Sequence, residues 1–219
     1  MTYFLISLTN KCSNACGYCV VKEWRNNPDF PDKITAGDLT EFLGKELQAD
    51  DVVELTGGEP TLFPDLTVLL DWLKKHGAKA IIRTNGLNLG GWRRCYDNLI
   101  VVLARHDSDE DYMGKRKKHL LPQDLVLDGI PEHVKQKEQG KPVFVNDETS
   151  PLTSHPFAKA FFITPDGKIK FMPCCNEDLG TVWDCKPRKY HCCGNCPYML
   201  GAWNLASRIE NCKTFREGA

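Results

Sequence analysis

Apolar runs and amphipathic stretches alternate along the first half of the chain. Tyr3 to Leu8 is a short apolar run that reads as a buried strand, ending in the polar Thr9-Asn10-Lys11. Thr35 is placed to cap a helix to about Gln48, with Leu39, Phe42, Leu43 and Leu47 on one face. Val52 to Leu55 predicts a second strand, followed by Thr56-Gly57-Gly58-Glu59-Pro60. Leu66, Leu69, Leu70 and Leu73 recur at helical spacing, with Gly77 as the C-terminal stop. Ala80 to Arg83, closed by Thr84-Asn85-Gly86, predicts a third strand, and Leu99 to Leu103 a fourth. Val143 to Val145 reads as a further strand. Ala160 to Thr164 and Lys168 to Phe171 flank Pro165-Asp166-Gly167 as a hairpin.

Strands alternating with helices predict a parallel α/β sheet or barrel. In such folds the chemistry sits beyond the C-terminal ends of the strands. The loop after the first strand, the Gly-Gly-Glu-Pro segment and Thr84-Asn85-Gly86 each follow a predicted strand, so they converge on one end of the sheet. Between Arg105 and Gly140 the pattern is less regular. An acidic run (Asp107, Asp109, Glu110, Asp111) precedes a basic run (Lys115 to Lys118). A solvated face is the first reading of these runs, and contact with an anionic substrate or nucleic acid the second.

Composition adds little until cysteine is counted. The 219 residues are 42% hydrophobic and 26% charged, an ordinary globular balance that argues against disorder. A formal net charge of -1 gives no global pull toward nucleic acid. No run of about 18 apolar residues predicts a membrane span, and the N-terminus has no basic region before its apolar run. The expected compartment is therefore reducing and cytoplasmic. The cysteines number eleven, so they cannot all pair internally, and clustered thiols in a reducing compartment point to metal. Cys12, Cys16 and Cys19 form one group and Cys174, Cys175, Cys185, Cys192, Cys193, Cys196 and Cys212 another. Cys95 stands alone and reads as a plain buried thiol.

Three thiolates at C-x3-C-x2-C suit an iron–sulfur cluster. Three ligands on a four-iron cluster leave one iron open to a small chelating molecule. Structural zinc, the competing assignment, wants four ligands, usually in two close pairs. The stretch Cys12-Ser-Asn-Ala-Cys16-Gly-Tyr18-Cys19 resembles the signature of the radical S-adenosylmethionine (radical SAM) superfamily. Gly57-Gly58-Glu59-Pro60 resembles that family's second motif. The resemblance covers roughly residues 3 to 105. It implies a SAM-binding [4Fe-4S] cluster on Cys12, Cys16 and Cys19. SAM would bind at Tyr18, Gly57, Gly58, Glu59, Pro60, Thr84, Asn85 and Arg105, with His106 as a candidate catalytic group for proton transfer. It also implies reductive cleavage of SAM to a 5′-deoxyadenosyl radical that abstracts a substrate hydrogen. Close backbone approach to the ligand is the expected reason for the glycines.

The tail resembles the SPASM and twitch extensions of the same superfamily. There a G-x4-C element follows a β-hairpin, and Gly180 with Cys185 fits it. Cys193-x2-Cys196 with Cys212 resembles the three-cysteine auxiliary site of the molybdenum-cofactor cyclase branch. At least one auxiliary [4Fe-4S] cluster is expected on the seven tail cysteines, for substrate binding or electron transfer. Structural zinc on Cys193, Cys196 and Cys174 or Cys175 is the alternative there.

A full (β/α)8 barrel takes about 250 residues, so the expected fold is a partial, open radical SAM barrel of four to six parallel strands. The expected division is a core over 1–159 and a cluster-binding region over 160–219. A first strand at Tyr3 gives no expectation of a peptide-recognition domain in cis. A peptide or protein is the first expected substrate, and a nucleotide, nucleic-acid base or other small metabolite the second. A flavodoxin or ferredoxin is the expected reductant. A zinc-stabilised binding module is the non-enzyme reading.

Overall fold

The computed structural model describes residues 2–16, 19, 22–49, 51–104, 119–127, 159–170 and 178–185. Among them run strands β1 (Thr2–Ser7), β2 (Val52–Thr56), β3 (Lys79–Thr84), β4 (Leu99–Ala104), β5 (Leu125–Leu127), β6 (Lys159–Ile163), β7 (Lys168–Lys170), β8 (Asp178–Thr181) and β9 (Asp184–Cys185). Helix α1 (Ala36–Glu46) connects β1 to β2, and α2 (Leu66–Lys75) connects β2 to β3. All strands form one sheet in the order β5-β4-β3-β2-β1-β6-β7-β8-β9. The first six in that order pair in parallel, and β7 to β9 extend the sheet antiparallel. The fold is thus an open, mostly parallel α/β sheet, as the alternation of periods predicts.

The pleat divides the sheet into two faces. Phe4, Ile6, Leu8, Val53, Leu55, Ala80, Ile82, Leu99 and Val101 point to one face. There they pack against Leu39, Phe42 and Leu43 of α1 and Leu66, Leu69, Leu70 and Leu73 of α2. Helix α1 starts where a capping box starts it. Thr35 Oγ1 accepts from Asp38 N–H, and Thr35 N–H donates to Asp38 Oδ2. Helix α2 stops at Gly77, whose φ of 67° suits a residue without Cβ.

The structure departs from the sequence reading in three places. Strand β5 falls in the stretch read as irregular, because three residues are too few to show a period. The hairpin around Pro165-Asp166-Gly167 forms, but its first arm, β6, also pairs in parallel with β1. The sheet therefore continues across residue 159. Cys95 is exposed rather than buried. It ends the short 3-10 helix Gly91–Cys95, in which Arg93 takes the inward position and Arg94 and Cys95 face out. The expected strand at Val143 to Val145 and the charged runs between Asp107 and Lys118 lie outside the described residues.

Beyond the helices, the N-terminal edge of the site's scaffold is held by a buried ion pair. Arg93 Nε and Nη2 meet Asp124 at 3.1 and 2.5 Å, Nη1 donates to Tyr96 O and Nη2 to Leu99 O. Asp124 in turn accepts from Val101 N and Leu121 N. This ties β4 to the segment leading into β5. Among the described residues no helix is long and apolar enough to cross a membrane.

Candidate functional site

Two predicted motif segments, after β1 and β2, lie side by side. Leu8 N–H donates to Thr56 O, continuing the β1–β2 ladder past the strand ends. Gly58 N–H then donates to Thr9 O and Glu59 N–H to Lys11 O, both at 2.7 Å. A Cβ on Gly57, whose φ is 136°, would stand 2.6 Å from Thr9 O. One on Gly58 would stand 2.4 Å from Lys11 O. Both are far inside contact distance, so only glycine admits this approach. In this structure both glycines let backbone meet backbone, the stretch just before Cys12.

The cysteine loop is anchored at its start. Asp32 accepts from Asn10 N at 2.7 Å and from the Thr9 hydroxyl, and Lys11 N donates to Thr9 Oγ1. Asn26 brackets Cys12, its Oδ1 accepting from Cys12 N and its Nδ2 donating to Cys12 O, both at 2.9 Å. Asn26 does so at φ 53°, a left-handed geometry that asparagine tolerates. Cys12, Cys16 and Cys19 are all partly exposed free thiols on this one loop. Burial pushes the Cys12 thiol up, and the Glu59 carboxylate and Cys16 act in the same direction. Asn14 N–H, donating to Cys12 Sγ, and Arg25 pull it back. Among the described residues no group of three His, Cys, Asp or Glu side chains stands together as a metal site. The three sulfurs share a loop, and ligation requires that loop to bring them to one point. The donor set, three unpaired soft thiols with a fixed entry, fits an iron–sulfur cluster.

Glu59 is the hub of the second motif. It is 1% exposed. Its Oε1 accepts from Thr61 N, Thr61 Oγ1 and Thr84 Oγ1, at 3.2, 2.6 and 2.6 Å. Its Oε2 accepts from Asn85 N at 2.8 Å. One carboxylate thus joins the short 3-10 helix Pro60–Leu62, entered by Pro60, to the end of β3. Asn85 Nδ2 then reaches Ser13 Oγ in the cysteine loop, at 3.3 Å. Asn85 Oδ1 caps Leu87 N, and Thr84 Oγ1 accepts from Gly86 N. The structure therefore sets Gly57, Gly58, Glu59, Pro60, Thr84 and Asn85 against the start of the loop that carries Cys12, Cys16 and Cys19.

Other expected site residues are not placed. Tyr18, Arg105, His106, Cys174, Cys175, Cys192, Cys193, Cys196 and Cys212 lie outside the described residues. Of Cys185 the backbone is described. Gly180 pairs with Cys185 across the β8–β9 hairpin, so the two ends of the G-x4-C element face each other. Sequence reasoning missed Asn26, Asp32 and Ser13, which position the loop and belong to no motif. The Asn26-Asn27 pair was a turn signal that gave no hint of its partner.

An anchored thiol loop and a glycine-cradled strand end on an open parallel sheet define the class. Residues 6–105 match the model of the Radical SAM superfamily, and the chain carries a radical SAM domain. Its segment is 35% identical over 91 residues to the GTP 3′,8-cyclase of Synechococcus elongatus, covering 41% of this chain and 27% of that protein. It is 40% identical over 82 residues to the 7-carboxy-7-deazaguanine synthase of Neisseria meningitidis serogroup B, covering 36% of this chain and 34% of that one. The aligned segment thus spans about a quarter to a third of these curated relatives. A crystal structure of BtrN in complex with AdoMet and 2-DOIA shares the fold, at a TM-score of 0.53 and 16% identity, over 98% of this chain and 84% of that one.

Proposed function

We propose that this chain is a radical SAM enzyme that cleaves SAM reductively and abstracts a hydrogen atom from its substrate. The observation that carries the reading is the locked pairing of Gly57-Gly58-Glu59 against Thr9 to Lys11, which sets the SAM motif directly beside the thiol loop. Cys12, Cys16 and Cys19 would ligate three irons of a [4Fe-4S] cluster, leaving the fourth for SAM. When bound, the reduced cluster and SAM supply a 5′-deoxyadenosyl radical. The chain's own residues orient the cofactor. Glu59, Thr84 and Asn85 fix the ledge on which the SAM methionine group would sit, and Tyr18 is proposed to contact SAM. Arg105 and His106, following β4, are proposed to contact SAM and to move a proton.

The tail cysteines Cys174, Cys175, Cys185, Cys192, Cys193, Cys196 and Cys212 are proposed to hold at least one auxiliary [4Fe-4S] cluster, in a region that starts near residue 160. The substrate has two supported readings. The tail pattern supports a peptide. The curated relatives bear the names of enzymes of nucleotide and deazapurine chemistry, which supports a nucleotide-derived small molecule. A flavodoxin or ferredoxin would supply the electron.

Anaerobic reconstitution with iron and sulfide tests the metal content. Two four-iron clusters correspond to about eight irons per chain, and replacing Cys12, Cys16 and Cys19 by Ala should remove about four. Dithionite-dependent release of 5′-deoxyadenosine tests the chemistry. A cluster-replete, reduced chain that leaves SAM intact with both candidate substrate classes present would end the radical reading.

A further inference from the structure

The sheet face away from α1 and α2 carries a polar cluster built on Glu54, Arg83 and Tyr3. Register places Glu54 of β2 between Leu5 of β1 and Ile81 of β3, with Arg83 two residues farther along β3 on the same face. Arg83 Nε donates to Glu54 Oε1 at 2.6 Å, and the Tyr3 hydroxyl donates to Glu54 Oε2. Glu54 is 2% exposed and has both carboxylate oxygens engaged. Arg83 is not used up. A guanidinium has five N–H groups, and only the Nε–H is spent here; Nη1 and Nη2 have no acceptor among the described residues. The side chain keeps 35% of its surface accessible.

A buried arginine of the short Gly91–Cys95 helix shows what a purely structural pair looks like. Arg93 is fully buried, and its Nε, Nη1 and Nη2 all have partners, on Asp124, Tyr96 O and Leu99 O. Arg83 is instead clamped on one edge, with its fork left open among the described residues. The apolar neighbours on its face, Ile81, Ile100 and Val102, are at most 1% exposed, so the fork stands beside a dry wall where hydrogen bonds are strong. Along the chain it immediately precedes Thr84 and Asn85, which Glu59 and Ser13 tie to the thiol loop.

We propose that Arg83 is the substrate anchor, its Nη1 and Nη2 binding a carboxylate or phosphate group of the molecule processed beside the thiol loop, with Glu54 and Tyr3 holding the guanidinium in place. The role of substrate rests on the radical SAM reading above. The fork selects an anion by directed donors rather than by net charge, because Glu54 already balances the guanidinium.

The test is calorimetric titration of the reconstituted, SAM-loaded chain with inorganic pyrophosphate and, separately, glutarate. The wild type should bind at least one of them, and Arg83→Gln should weaken that binding at least about tenfold. Lys45→Gln, in an exposed pair on α1, should leave it unchanged. Pyrophosphate alone would mark a phosphate-bearing substrate and glutarate alone a carboxylate. Because Arg83→Gln leaves a buried Glu54 unpaired, the double variant Glu54→Gln/Arg83→Gln serves as the folding control and should show the same loss. Binding of neither anion by the wild type, equal binding by Arg83→Gln, or recovery in the double variant would overturn the proposal. 5′-Deoxyadenosine release is measured in the same samples. If the wild type binds an anion through Arg83 but never cleaves SAM, the anion site stands and the radical reading falls.

Discussion

The Glu59 hub makes a sharp quantitative prediction. Replacing Glu59 by Gln preserves size and planarity but turns one of two acceptor oxygens into a donor. If the amide oxygen keeps the Oε1 position, the Thr61 and Thr84 bonds survive without charge assistance. The amide NH2 then faces Asn85 N–H, which at present donates at 2.8 Å. Flipping the amide only moves the conflict, because Thr61 N–H also needs an acceptor. An unsatisfied buried donor costs about 1–3 kcal/mol, and charge-assisted bonds are roughly twice as strong as neutral ones. The sum is a loss of about 2–4 kcal/mol, with no discount for solvent at a side chain 1% exposed. Urea unfolding with matched wild-type and variant preparations measures it. Thr84→Val, which deletes one of the same bonds and leaves Gly86 N–H without its Thr84 Oγ1 acceptor, should cost about 1–3 kcal/mol and add less than its full value to Glu59→Gln. SAM affinity should fall in Glu59→Gln, since Asn85 N–H is released. A Glu59→Gln stability within about 0.5 kcal/mol of wild type would refute the four-bond hub and return Glu59 to being a ligand contact alone.

Gly58→Ala places a methyl 2.4 Å from Lys11 O; since neither backbone can yield cheaply, the overpacking should cost about 1–3 kcal/mol and lower iron content after reconstitution, as read by metal counting. Arg93→Met leaves Asp124 as a buried, unpaired charge and should cost about 3–5 kcal/mol by chemical unfolding, a loss well beyond that of an exposed pair such as Lys45–Glu41. Asp38 predicts a pH dependence. Its carboxyl is held below the usual carboxylate range chiefly by the Thr35 hydroxyl, with Trp183 Nε1–H and Thr35 N–H helping and burial opposing. A carboxyl whose folded pKa is depressed contributes fully above its unfolded value of about 3.9, and the contribution is lost as pH falls through the folded value. Asp38→Asn should therefore be the less stable chain near pH 7, by about 0.5–1 kcal/mol for a weakened helix start. Thermal melts down to pH 3 should show the gap to wild type closing.

How much of this was legible beforehand follows from the range of the interactions. Strands β1 to β4, both helices and the Thr35 cap rest on period and capping within about a dozen residues, and the sequence displays such patterns directly. That the two motifs meet at one end also follows from order alone, given parallel strands. The partners of the site were not legible, because they are long-range. Asn26 and Cys12 are 14 residues apart, Asn85 and Ser13 are 72, and Arg83 and Glu54 are 29. Cys95 was misread because a cysteine's burial depends on which side of a short helix it occupies. Strand β6 reads as one arm of a local hairpin, and only the sheet order shows it beside β1.

The geometry divides the labour between the two faces of the sheet. On the helix-covered face the side chains are apolar and hold the strands in register, which fixes where Thr56, Thr84 and the thiol loop emerge. The Gly57-Gly58-Glu59 segment is then positioned by its backbone pairing against Thr9 to Lys11 and by the Glu59 carboxylate, which gathers Thr61, Thr84 and Asn85 N–H. Side chains on the opposite face are freed from that task. A change at Glu54 or Arg83 touches none of the backbone pairings that align the motifs, whereas a change at Gly58 or Glu59 touches them directly. Cofactor binding and substrate choice should therefore be separable by mutation in this chain. Arg83→Gln should leave SAM binding intact while Gly58→Ala weakens it, and a chain in which both variants lose SAM binding equally would show that the two faces are not independent.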